Sequence, residues 1–196
     1  MKCINIIWPR LIAATALFLA MSAPVSAIAV LDFLPTATST SVGQLITLDV
    51  RGSALSDLYG YQFSITYDHT VLKAINIIEG PFLAIGGSTF FIPGSIDNTA
   101  GIVSFTGNTL IGAIPGVSGG GILASLTFES IGVGSSGLGF QDVLLLDSSI
   151  NLADVNTYSG LISIVTNTVP EPNGLALLTI GSLALLGAFH IPGIKK

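Results

Sequence analysis

The sequence predicts an all-β domain, an antiparallel β-sandwich of about nine short strands, framed by two apolar chain ends. Three observations lead there. Apolar and polar side chains alternate at period two through much of the middle of the chain, as in a sheet with one buried face. Glycine-, proline- and serine-rich clusters punctuate those stretches at short intervals. No clear helical period occurs outside the two apolar ends.

Residues 1–27 read as a signal peptide. Lys2 and Arg10 make a basic start, and Val25-Ser26-Ala27 is a small-residue cleavage site that ends the peptide at Ala27. Between them Leu11–Met21 forms an apolar core of about 11 residues, too short to span a bilayer. Cys3 is the only cysteine and leaves with this peptide. The mature chain then has no thiol, which excludes a disulfide framework, a cysteine metal site and a cysteine nucleophile.

Residues 28–168 are long enough for one domain with its own core. Alternation is clearest in Ile46–Arg51, in Tyr59–Tyr67, in Ile122–Phe128 and around Ile162–Ile164. In the second of these, Tyr59, Tyr61, Phe63, Ile65 and Tyr67 share one face. Further strands are expected at Ile28–Phe33, Leu72–Glu79, Thr89–Ile92, Ile102–Thr106 and Leu138–Leu146. Gly86-Gly87-Ser88, Pro93-Gly94, Gly119-Gly120-Gly121 and Gly134-Ser135-Ser136-Gly137 read as the turns between them.

Residues 169–196 form a tripartite tail. Val169-Pro170-Glu171-Pro172 ends the domain, because the prolines can continue neither a strand nor a helix interior. Gly174–Ile194 is an almost uncharged run whose helical length matches the hydrocarbon core. Lys195 and Lys196 act as a membrane stop on the cytoplasmic side. This arrangement resembles the PEP-CTERM sorting signal of exopolysaccharide-producing Gram-negative bacteria. The resemblance implies processing by an exosortase-type membrane enzyme after signal peptidase has acted. It also implies an inner-membrane-anchored precursor that passes to the cell surface or extracellular matrix.

A second resemblance lies between the two signals. Val42-Gly43-Gln44, the aromatic strand Leu58–Tyr67, and Tyr67-Asp68-His69-Thr70-Val71-Leu72 are similar to the early strands of a cohesin domain. Gly121-Ile122-Leu123-Ala124-Ser125-Leu126-Thr127-Phe128 resembles a later strand of that family. The likeness covers most of Val42–Val165. It implies a nine-stranded jelly-roll, related in fold to carbohydrate-binding modules, that binds dockerin modules on other proteins. His69 departs from the pattern, standing where the family often has proline.

Charge narrows the partners. Between Ile28 and Thr168 only Arg51 and Lys73 are basic, against ten carboxylates, a net charge of −8. That field repels nucleic acid, so no nucleic-acid partner is expected. His69 is the sole histidine of the domain, so a triad or histidine metal site is hard to build. It reads as a turn residue beside Asp68, whose side chain caps the turn. Asp142, Asp147, Asn151 and Asp154 are oxygen donors near one another in sequence, a weak case for Ca²⁺. The EF-hand spacing is absent, which favours loop structure and no cofactor. Glu79 and Glu129 are the carboxylates that a glycosidase reading would have to oppose across a cleft. No catalytic residue is assigned, and the chain is expected not to be an enzyme.

Sugar binding would need exposed aromatics. Tyr59, Tyr61, Phe90, Phe91 and Tyr158 are the candidates, and Phe90 and Phe91 must point to opposite faces of their strand. The expected function is a non-catalytic binding module for a polysaccharide or a dockerin-like protein at the cell surface or in a biofilm matrix. The alternative is a structural matrix protein that associates with itself.

Overall fold

One 22-residue strand, Leu45–Thr66 (β3), organises the domain. Laid straight it would run about 73 Å, far longer than a sandwich of this size. It bends instead between Gly52 and Leu58, where Ala54 and Asp57 both take φ of 53°. The half before the bend belongs to one sheet and the half after it to the other.

The structure, a computed structural model, describes residues 27–166. The expected signal peptide up to Ser26 and the tail of residues 169–196 lie outside the described residues. Among the described residues no helix is long and apolar enough to cross a membrane.

Before β3 come β1 (Ala29–Leu34) and β2 (Ala37–Ser41). After it come β4 (Leu72–Glu79), the single-turn helix α1 (Pro81–Ala84), β5 (Thr89–Ile92), β6 (Ser95–Asp97) and β7 (Ile102–Leu110). The chain continues through β8 (Val117–Ser130), β9 (Gly134–Asp147), β10 (Val155–Thr157) and β11 (Gly160–Val165). The first sheet runs β10-β1-β3-β8-β4 and uses the early half of β3. The second uses its late half. There β7 and β9 flank β3, β5 and β6 pair along the outer edge of β7, and β11 and β2 follow β9.

The core lies between the sheets. Leu31, Phe33, Leu48, Val50, Leu126 and Phe128 point in from the first sheet, and Phe63, Ile65, Leu138, Leu145, Ile162 and Ile164 from the second. Phe140 ties them together, stacked on Phe33 at 4.4 Å and edge-on to Phe63 at 5.9 Å. The face expected for Tyr59–Tyr67 is the buried one: Tyr61, Phe63, Ile65 and Tyr67 are all buried, and Tyr59 packs against the core.

Several expectations need correction. Ile46–Arg51 and Tyr59–Tyr67 are not separate strands, because the ladder to β8 continues at Leu55 and Leu58 through the bend. Gly119-Gly120-Gly121 is not a turn but part of β8. A Cβ on Gly120 would lie 2.9 Å from the Gly52 oxygen, and one on Gly121 would lie 2.7 Å from the Phe82 ring. The glycines mark close approach rather than reversal. Gly134–Gly137 likewise opens β9, paired with β11. The sheets are not wholly antiparallel either: β1 pairs with β10 and β2 with β11 in parallel. The polar strands β2, β6 and β10 carry no apolar alternation to announce them.

Candidate functional site

The outer faces of the two sheets differ in chemistry. On the first sheet a set of polar side chains is joined across β1, β3, β8 and β4, bordered by the exposed Leu34 and Ile78. Arg51 donates to both carboxylate oxygens of Asp32, at 3.0 and 2.6 Å, and that bonding holds the guanidinium pKa above its ordinary value. Lys73 lies 3.6 Å from Glu129. Ser125 donates to Asp49, and the Thr47 and Thr127 hydroxyls are 3.3 Å apart. Both cations of the described residues are thus paired on this one face.

The second sheet presents an apolar groove. Strand register sets its rows. Phe90, Thr109, Gly60 and Leu146 line up across β5, β7, β3 and β9, and Ile92, Gly107, Gln62 and Leu144 form the next row. Gly60 and Gly107 carry no side chain, so the middle strands form a floor. Phe90 and Ile92 stand along one side, Leu144 and Leu146 along the other, and Phe105 lies at one end. Phe90 is 59% exposed, Phe105 60%, Ile92 50% and Leu144 41%. Such a cluster on an acidic domain marks a contact surface rather than scattered apolar exposure.

Two bulges aim these side chains. Phe105 and Asp142 have φ of 57° and 51°, and the pairing of β3 slips beside each of them. Each bulge adds a residue and reverses which face the following side chains meet. Beyond Asp142, Val143 and Leu145 turn inward and Leu144 and Leu146 outward. Beyond Phe105, Thr106, Asn108 and Leu110 are buried while Gly107 and Thr109 join the floor. The fully buried Ser64 lies between the bulges. Its hydroxyl accepts from the Phe105 N–H at 3.1 Å and donates to the Asp142 carboxylate at 3.3 Å.

From β5 to β9 is three strand spacings, about 14 Å. An α-helix with its side chains is about 10–12 Å across. A helix laid along β3 and β7 can therefore rest across the two apolar sides, with its apolar stripe entering between them.

The carboxylates and the histidine singled out from sequence do not line this groove, whereas Phe90 and Tyr61 do. Asp147 folds back on its own loop, accepting from the Ser149 and Asn151 N–H groups at 2.8 Å and from the Asn151 amide at 3.0 Å. Those bonds, the Asn151 amide first, hold its carboxyl below the usual range. Asp142 turns to Ser64 instead, and no group of three His, Cys, Asp or Glu side chains among the described residues could hold a metal. Glu79 accepts from Thr89 at 2.6 Å and from Asn108 at 2.8 Å. It pairs with Ala124 on β8, five residues from Glu129, about 17 Å along the strand. The two carboxylates do not face each other across a cleft. His69 is exposed in its turn, where the Asp68 carboxylate accepts from the N–H and hydroxyl of Thr70.

Among the aromatics, Phe90 and Phe91 do point to opposite faces, Phe90 outward and Phe91 against the core. Tyr61 is buried with its hydroxyl donating to the Leu123 oxygen, and burial pushes its pKa up. Tyr59 donates to the Gly112 oxygen, and Tyr158 is 58% exposed away from the groove lining. Ile92, Phe105 and Leu144 were not singled out. Ile92 follows the plain alternation of β5, whereas the exposure of Phe105 and Leu144 depends on bulges that the alternation alone does not reveal.

A two-sheet jelly-roll with an apolar groove on the outer face of one sheet defines a β-sandwich with a contact surface on a sheet rather than in its loops. The chain belongs to the cohesin domain family, which residues 33–164 match. Its fold is similar to a non-cellulosomal cohesin from the hyperthermophilic archaeon Archaeoglobus fulgidus, with a TM-score of 0.55 and 17% identity over 72% of this chain and 94% of that one. It is also similar to the OlpA cohesin in a type I cohesin–dockerin complex from Clostridium thermocellum (TM-score 0.58, 16% identity, 71% and 100% covered). A third similar structure is CaCohA2 from Clostridium acetobutylicum (0.56, 18%, 74% and 95%). No curated protein matches the chain.

Proposed function

We propose that this chain is an exported, non-catalytic docking module whose groove receives an amphipathic helix of a dockerin-type protein. The observation that carries the reading is the apolar groove of Phe90, Ile92, Phe105, Leu144 and Leu146, opened at its floor by Gly60 and Gly107 so that the apolar stripe of a helix can seat in it. Family membership supports the choice of partner. Similar structures include cohesins in complex with dockerins, one of them a ScaB dockerin altered in its C-terminal helix. A protein helix is favoured over a polysaccharide because the floor offers few hydrogen-bonding side chains. Gln62 is available, while the Thr109 hydroxyl donates to the Leu110 oxygen at 3.2 Å and the Asn108 amide is engaged with Glu79. Asp142, exposed on β9 two residues before Leu144, suits a helix whose apolar stripe is flanked by lysine or arginine.

Export and sorting complete the proposal. Residues 1–27 act as the signal peptide, residues 28–168 as the module and residues 169–196 as the sorting and anchor segment. The fold supports these boundaries: β1 begins at Ala29, two residues past Ala27, and β11 ends at Val165, four before Val169. Cleavage at both ends would leave a complete sandwich.

Calorimetric titration of the chain with a dockerin-bearing protein from the same cell tests the docking. Saturable binding that falls at least 100-fold in Leu144→Asp is expected. Binding that survives Leu144→Asp and Phe105→Asp unchanged places the contact elsewhere. Self-association without any ligand, read by sedimentation, would favour the structural-matrix alternative. Mass spectrometry of the mature protein checks the sorting, with a C-terminus near Pro172 expected and an intact Lys196 throughout counting against it.

A further inference from the structure

The end of the sandwich at which β11 leaves the fold exposes a cluster of apolar side chains. Val165 closes β11 beside Ser41 at the end of β2. The adjoining turns, β2–β3 and β8–β9, expose Val42, Leu45, Ile131 and Val133. Hydrogen bonds hold these turns together: Gly43 N–H donates to the Ser130 oxygen at 2.8 Å, and the Ser130 hydroxyl to the Ser41 oxygen at 2.7 Å. Gly134 pairs with Ile164, which sets Val133 close to Val165. Leu45 is 68% exposed, Val133 58% and Val165 50%.

Charge offers this end little. Lys73 faces Glu129, and the Asp68 and Asp97 carboxylates accept from the N–H groups of their own turns. An anionic surface would gain nothing here, whereas an apolar boundary would.

The chain outside the described residues says what lies nearby. Eight residues, 166–173, separate Val165 from the apolar run Gly174–Ile194. Stretched out, that link spans at most about 30 Å. A tether of that length raises the local concentration of a surface to the order of millimolar, so weak apolar contacts suffice. We propose that this end of the sandwich rests on the bilayer that the tail crosses, with Leu45, Val133 and Val165 among the headgroups of a zwitterionic lipid surface. The proposal rests on reading residues 174–194 as a membrane span. It stands the β3 and β7 strands along the membrane normal and leaves the groove open on the flank of the anchored precursor.

The test uses the full chain reconstituted in phosphatidylcholine vesicles. Single tryptophans are introduced as Leu45→Trp, Val133→Trp and, at the opposite end of the sandwich, Leu152→Trp, each with Trp8→Phe. Lipid brominated near the top of the acyl chain should quench the first two at least twofold more than the third. Equal quenching at both ends, in a chain that floats with the vesicles, overturns the proposal and leaves the span intact. A chain that does not float overturns the span and the proposal together.

Discussion

Phe105 and Asp142, on the two strands that flank β3, both take left-handed backbone conformations and both bond to the same hydroxyl, that of Ser64. Left-handed φ is uncommon outside glycine and more so for a bulky side chain such as Phe105. The buried hydroxyl supplies a partner on each side where the ladder is interrupted. One serine thus serves two bulges, and the bulges decide which side chains reach the groove.

Ser64→Ala should therefore cost more than a surface hydroxyl. It leaves the Phe105 N–H without its acceptor, and such a loss is worth about 1–3 kcal/mol. Urea denaturation reads it as a lower midpoint at unchanged slope.

Phe90 and Phe91 form an internal control. Phe90→Ala removes an exposed ring and should change stability by less than about 0.5 kcal/mol while weakening partner binding. Phe91→Ala removes a ring packed on the core and should destabilise by about 2–3 kcal/mol. Thermal melts and titration calorimetry on the same two proteins separate the roles. Equal effects on stability would contradict the assigned faces.

Gly80 tests the close packing of β4 on β8. A Cβ there would lie 2.3 Å from the Ile122 oxygen and 2.6 Å from its carbonyl carbon, both backbone atoms that cannot move alone. Gly80→Ala should destabilise by at least about 2 kcal/mol, read by denaturation.

Acid should weaken the fold through its loops. Hydrogen bonds from their own turns or neighbouring loops hold Asp57, Asp68, Asp97 and Asp147 below the usual 3.8. A carboxyl whose folded pKa is depressed stabilises the fold above its unfolded value and loses that contribution as pH falls through the folded one. Denaturation midpoints should hold steady from about pH 7 to 5 and fall below about pH 4. Asp97→Asn should flatten part of that fall. A midpoint that rose with acid would contradict the loop geometry.

Much of the fold was legible because burial imposes period two. Tyr61, Phe63 and Ile65 declare their face directly, and β4 and β5 begin and end where the pattern does. The groove was far less legible. Leu144 looks like one more member of the run Val143–Leu146, and only the extra residue at Asp142 turns it outward. That displacement is stabilised by Ser64, 78 residues away in sequence. Glycines misled for a related reason: Gly120 and Gly121 look like a turn but exist to let Gly52 and Phe82 approach. Contacts distant in sequence leave no local period.

β11 runs between β9 and β2, paired residue for residue on both sides, and its last residue is the one from which the tail departs. A pull on that tail against a partner seated on the second sheet is directed along the strand. It loads both ladders in shear, so the hydrogen bonds must yield together rather than unzip singly. On the proposed anchoring, the attachment point would thus be mechanically resistant in the precursor. Severing the tail, as the proposed sorting requires, would remove the load without disturbing the strand that carried it.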